Sequence, residues 1–145
     1  MTDTVKFKCK ISNSDNQIPL GIEVLLDGQT MFKQDNVNSV CDVAFDINDD
    51  EASHKLQFVL SGKTHAHTKI DQQGNIVSDS LLNITQISID DIELDNFVYS
   101  LSKYDHDFNG TKEPVTAKFY GSMGCNGTVT FEFTTPIYLW LLEHL

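Results

Sequence analysis

The loop Asp105-His106-Asp107-Phe108-Asn109-Gly110 carries oxygen-bearing side chains at alternate positions, Asp105, Asp107 and Asn109, ahead of a glycine. Calcium is caged by oxygens spaced in this way, and the glycine permits the sharp turn that brings them together. A helix-flanked calcium hand also needs a glutamate at the twelfth place of its loop. Thr116 stands there and Glu113 falls at the ninth, so that arrangement is excluded. Two readings stand: a calcium loop between strands, or a solvated turn built from Asp, Asn and Gly for backbone reasons. Tyr104 and Phe108 frame the loop. Sugars stack on exposed aromatic faces, which makes these two the candidate contacts for a glycan or a partner.

A second acidic cluster is Asp90, Asp91, Glu93, Asp95 and Asn96. On a regular strand Asp91, Glu93 and Asp95 share one face while Ile92 and Leu94 turn to the core. Like charges side by side repel, so a cation, a lysine or water must separate these three. They form the second candidate calcium set. His65 and His67 also point one way on a strand and could chelate zinc or nickel. With no third ligand near them in sequence, two histidines blunting an exposed edge is the plainer reading. Asn48 to Glu51 reads as a charged hairpin turn.

Nucleophilic chemistry has little to stand on. Cys125 lies in a flexible Gly-Cys-Asn-Gly turn, but a catalytic thiol needs a base beside it, and the histidines cannot be placed from sequence. The chain has no nucleophile elbow, phosphate-cradling loop or dinucleotide fingerprint. A small sandwich also leaves little room for the deep cleft of a two-carboxylate glycosidase. The chain reads as a non-enzyme.

The elements that must position these residues are strands. Val5, Phe7, Cys9 and Ile11 alternate with lysines; Cys41, Val43, Phe45 and Ile47 alternate with Asp42, Ala44 and Asp46; and Leu56, Phe58 and Leu60 continue the pattern. Asp27-Gly28 sits between two apolar runs as a hairpin turn. Asn83 to Glu93 reads as a strand with an irregularity at Asp90-Asp91, and Phe97, Tyr99 and Leu101 read as another. Lys103 to Pro114 reads as the longest loop. Phe119-Tyr120 and Thr128 to Thr134 read as the last two strands. Only the segment after Thr135 resembles a helix, with Thr135 as cap and Pro136 in the first turn. The expectation is an all-β fold, a β-sandwich or jelly roll of about nine or ten short antiparallel strands, with a short apolar helical tail. Residues 1–135 form the sandwich and 136–145 the tail.

Two stretches resemble known families. FYGSMGCNGTVTFEFTTPIYLWLLEHL, at the end, resembles the ending of uncharacterised proteins of marine tailed phages, especially those infecting cyanobacteria. The body is similar to the calcium-dependent xylan-binding β-sandwich modules through IEVLLDGQTMF, HKLQFVLSG and ITQISIDDIELDNF. The first resemblance implies a non-enzymatic structural protein of a phage particle, a capsid decoration or a neck or tail component. Ile137, Tyr138, Trp140, Leu141 and Leu145 would then be assembly residues, meeting other virion proteins or further copies of the chain. The second implies a calcium-dependent carbohydrate-binding or host-recognition module.

Composition bounds both readings. The net charge is -11, from 21 acidic and 10 basic residues, and every basic residue is a lysine. Nucleic-acid footprints are basic and lean on arginine, so that class is set aside. An anionic membrane surface is disfavoured on the same ground. The apolar tail is about nine residues long, too short to span a bilayer. Met1 to Lys10 has no apolar signal core. Cys9 and Cys41 lie on apolar strand phases and read as buried thiols. Together with the phage resemblance, which implies a virion, the expectation is a protein made in the host cytoplasm and carried on a particle.

Overall fold

In the first strand, β1 (Thr4–Asn13), Val5, Phe7, Cys9 and Ile11 are buried while Lys6 and Lys8 face water, as a period of two requires. The computed structural model describes residues 3–14, 19–63, 69–70, 72–73, 76–78, 81–107 and 113–144. Asp27 and Gly28, at φ of 52° and 84°, close the hairpin of β2 (Gly21–Leu26) and β3 (Gln29–Gln34). This hand of turn matches the strand twist. The alternation continues in β4 (Cys41–Asn48), which buries Val43, Phe45 and Ile47. It continues too in β5 (Ser53–Ser61), which buries His54, Leu56, Phe58 and Leu60.

β6 (Lys69–Ile70) and β7 (Ile76–Ser78) form a small antiparallel pair of their own. β8 (Leu82–Ile89) buries Leu82, Ile84, Ile87 and Ile89. The odd spacing between Ile84 and Ile87 is resolved by a bulge at Gln86, φ 51°, where the register with β1 shifts. β9 (Ile92–Glu93), α1 (Asp95–Leu101), β10 (Lys103–His106), β11 (Val115–Lys118), β12 (Ser122–Met123), β13 (Gly127–Thr134) and α2 (Ile137–Glu143) complete the order.

One sheet runs β12-β8-β1-β4, with β9 folded back on β8, and the other runs β11-β10-β13-β5-β2-β3. Their inner faces meet in one core, where Phe7 stacks on Phe45 at 4.7 Å opposite Phe58, Phe131 and Phe133. This is the all-β sandwich expected. On the outer face of the first sheet, Lys6 meets Asp46 at 2.8 Å and Lys10 meets Asp42 at 3.6 Å. Such exposed pairs contribute little to stability. No helix among the described residues is long and apolar enough to cross a membrane.

Local readings are corrected in four places. Asp95 to Leu101 is a helix rather than a strand: Val98 is its buried residue, and Phe97 and Tyr99 pack at its sides. Lys103 to His106 pairs with both β11 and β13, so the expected loop begins as a strand. Phe119-Tyr120 lies between strands, with Phe119 fully buried and Tyr120 exposed. Pro136, not Thr135, is the N-cap of α2, and no side chain caps it.

Candidate functional site

A depression opens where the β2–β3 turn, the start of β5, the end of β13 and α2 converge. Its volume is about 500 Å³. Lys55 and Glu132 are register partners on β5 and β13 and project outward from the sheet, with Ser53 and Thr134 paired one step further on. Asp27 stands on the turn beside them, and Phe133 and Trp140 supply the apolar wall.

Asp27 is held on three sides. Its N–H donates to the Lys55 carbonyl at 2.8 Å, and its Oδ1 accepts the Lys55 N–H at 2.7 Å. Its Oδ2 accepts from His54 Nδ1, also at 2.7 Å. The other nitrogen of His54, Nε2, lies 2.9 Å from Asp50 Oδ1 and 3.1 Å from the Asn48 carbonyl. Asp50 in turn accepts from Thr135 Oγ1 at 3.3 Å.

His54 is 6% exposed, with its ring 5.6 Å from that of Phe133. Burial alone disfavours a charged imidazole, but hydrogen bonds and charge from Asp27 and Asp50 outweigh it and raise the His54 pKa. The same hydrogen bond from His54, with smaller help from the ring's charge and Thr135, lowers the Asp50 pKa against the opposing effect of burial. With both ring nitrogens engaged by acceptors, His54 is not available as a catalytic base.

Nothing singled out His54 in the sequence, although a signal was there. It occupies the inward phase of Leu56, Phe58 and Leu60, where a polar residue must find buried partners. Those partners came from two turns that read as ordinary polar punctuation.

Asp105, on β10, accepts a hydrogen bond from Thr116 Oγ1. Asp105, Asp107 and Asn126 border an open depression of about 360 Å³. Phe108, Asn109, Gly110, His65, His67 and Leu145 lie outside the described residues. Tyr104 is 6% exposed and has no open ring face for a sugar. Its hydroxyl donates to the Cys125 carbonyl and accepts the Cys125 N–H at 2.9 Å. It fastens the turn before β13 instead.

Asp91, Glu93 and Asp95 do not share a face, because Asp90 and Asp91, at φ of 49° and 64°, form a tight turn there. Asp90 Oδ1 accepts the Lys6 N–H at 2.7 Å, Asp91 lies 3.9 Å from Lys8 Nζ, and Asp95 Oδ1 accepts the Ile87 N–H at 2.6 Å. Ile92 is 37% exposed rather than buried. Among the described residues, no three Asp, Glu, His or Cys side chains converge as a metal site, so the described residues do not by themselves form a calcium cage.

The tail divides between two faces. Ile137 and Trp140 are buried against the chain's own sandwich, so they are not free to anchor a partner, and Leu141 is half-buried. Tyr138, Leu139 and Leu142 are exposed.

No protein-family model matches the chain, and no curated protein matches it. Two solved structures are similar to it. One is a selenomethionine form of vCBM60, described as giving a circular-permutation link between two families of calcium-dependent carbohydrate-binding modules. It has a TM-score of 0.52 and 8% identity over 88% of this chain and 89% of that one. The other is vCBM60 in complex with galactobiose, with a TM-score of 0.49 and 9% identity over 87% of this chain and 96% of that one. Identity this low establishes a shared fold and nothing about the site.

Proposed function

We propose that this chain is a non-catalytic carbohydrate-binding module that takes a glycan in the cleft of Asp27, Lys55 and Glu132. The observation that carries the reading is the chemistry of that cleft. Carboxylate acceptors, an ammonium donor and the Ser53 and Thr134 hydroxyls stand together where the β2–β3 turn meets β5 and β13. Sugar hydroxyls donate and accept at once, and a site offering both polarities at fixed positions matches them. The vCBM60 likeness supplies a scaffold on which such a role is at home.

Calorimetry with a panel of neutral oligosaccharides, including xylan and galactan fragments, tests this with calcium present and with it chelated. The expected result is binding that falls about tenfold in Lys55→Ala and Glu132→Gln, the loss of roughly one charge-assisted hydrogen bond. Both variants should keep the melting temperature of the parent. No heat with any sugar under either condition removes the reading. Binding that needs calcium and ignores both substitutions moves the site to the loop of Asp105 and Asp107.

A second reading, a decorating or structural protein of a virion, draws on one observation. The outward face of α2 leaves Tyr138, Leu139 and Leu142 at 58%, 49% and 66% exposure, an apolar surface of the kind that drives association. Light scattering coupled to size exclusion tests it. A chain that stays monomeric at every concentration, and is unchanged by Leu142→Ser, counts against that role.

A further inference from the structure

His54, which lines the cleft, joins two chain reversals beside it through one ring. Nδ1 reaches Asp27 on the β2–β3 turn, and Nε2 reaches Asp50 and the Asn48 carbonyl on the β4–β5 turn. Through Asp50 the connection continues to Thr135, immediately before α2 and its wall residue Trp140. Lys55 on the same strand and Glu132 on β13 are the other charged groups bordering this space.

Only an imidazolium donates from both nitrogens. A neutral ring keeps one N–H. If that proton stays on Nδ1, the Nε2 lone pair confronts Asp50 Oδ1 and the Asn48 carbonyl. If it stays on Nε2, the Nδ1 lone pair confronts Asp27 Oδ2. Either tautomer leaves one carboxylate facing a lone pair at hydrogen-bonding distance in a half-buried place, which is unfavourable.

We propose that His54 is a pH-sensitive clamp on this cleft: charged, it ties the Asp27 and Asp50 turns together, and on losing its proton it releases one of them and reshapes the opening. The direction follows from the two carboxylates, which hold the charged form above the ordinary histidine range. The clamp is closed below the His54 titration and opens as pH rises through it. The clamp belongs to the fold; that it regulates glycan capture rests on the carbohydrate-binding reading.

Nuclear magnetic resonance on the full chain tests it without any ligand. The ring signals of His54 and the backbone amides of Asp27, Lys55, Asp50 and Thr135 are followed from acid to alkaline pH. The amides on at least one of the two turns should move with the midpoint of the ring, and that midpoint should lie above about 6.5. In His54→Gln the same amides should be indifferent to pH. Asp50→Asn, which keeps the histidine, should lower the ring's midpoint, and it carries the test if His54→Gln does not fold.

Amides that stay still while His54 titrates, or that move equally in His54→Gln, overturn the clamp. Oligosaccharide affinity measured on both sides of the midpoint then tests regulation. Several-fold weaker binding above it is expected, and equal binding overturns the regulatory part. A glycan that binds at neither pH strikes the carbohydrate reading alone, because the clamp is read from the amides.

Discussion

Trp140 meets Phe131 edge to face, with ring centroids 5.4 Å apart and planes at 84°. Phe97 from α1 meets the same indole at 5.9 Å, and His144 stacks on it at 4.1 Å while its Nδ1 donates to the Trp140 carbonyl at 2.7 Å. The apolar end of the chain is thus folded back onto its own sandwich, and the helix that carries it has an inner and an outer face. Trp140→Ala should therefore destabilise the domain by about 3–5 kcal/mol, read by chemical denaturation. Leu142→Ser, on the outer face, should stay within about 0.5 kcal/mol. Equal costs for the two would mean that the helix packs differently.

Stability should depend on pH through the same histidine that clamps the cleft. The His54 pKa is raised in the folded state, so its contribution is complete below the unfolded value of about 6.5 and is lost as pH rises through the raised value. The Asp50 pKa is lowered, so its contribution is present above the ordinary aspartate value of about 3.9 and is lost as pH falls through the lowered value. Urea unfolding across pH should show a plateau between these limits and a decline on the alkaline side. His54→Gln should flatten that alkaline decline. A decline that persists in the variant assigns it to another group.

Cys9 should be inert. Burial, with a smaller contribution from the charge of Asp95, pushes its thiol up to about 12. The thiolate is the reactive form, so a disulfide reagent at pH 8 should leave Cys9 untouched in the folded protein and label it on unfolding. Rapid labelling of native protein, mapped by mass spectrometry to Cys9, would contradict its place in the core.

Gly127 opens β13 where the backbone passes β10 closely. A Cβ there would overlap the Asp105 carbonyl oxygen and lie 2.8 Å from His106 Cβ. Gly127→Ala should cost about 1–3 kcal/mol in thermal or chemical unfolding, because two strands must move apart to admit one methyl group. Gly28, with open space around its Cβ position, fills its place for a different reason, its φ of 84°.

The sandwich was legible because its information is local. Val5 to Ile11, Cys41 to Ile47 and Leu56 to Leu60 each carry a period of two, and the pleat alone turns such a pattern into one buried face. The Asp27-Gly28 hairpin was legible for the same reason, since a turn depends on the residues within it. Phe97, Tyr99 and Leu101 carried the same period and misled. There the chain had just reversed at Asp90-Asp91, and the Asp95 carboxylate was taken by the Ile87 N–H, so the seven residues Asp95–Leu101 coil beside β8 as a helix. Local alternation competes with tertiary packing, and packing prevails where the pattern is short.

The candidate site was not legible, because it is made of distances rather than of pattern. The inward phase of β5 set His54 on the buried side of the sheet, and that much belongs to the sequence. Its partners Asp27 and Asp50 are 27 and 4 residues away, and each looked like a solvated turn residue. Period and turn chemistry determine which side of an element meets water. Which carboxylate comes within 2.9 Å of a buried ring, and which indole closes the cleft beside it, depends on how two sheets and two turns are brought together. Only the tertiary structure decides that, because hydrogen bonds and burial act through space and carry no record of sequence separation.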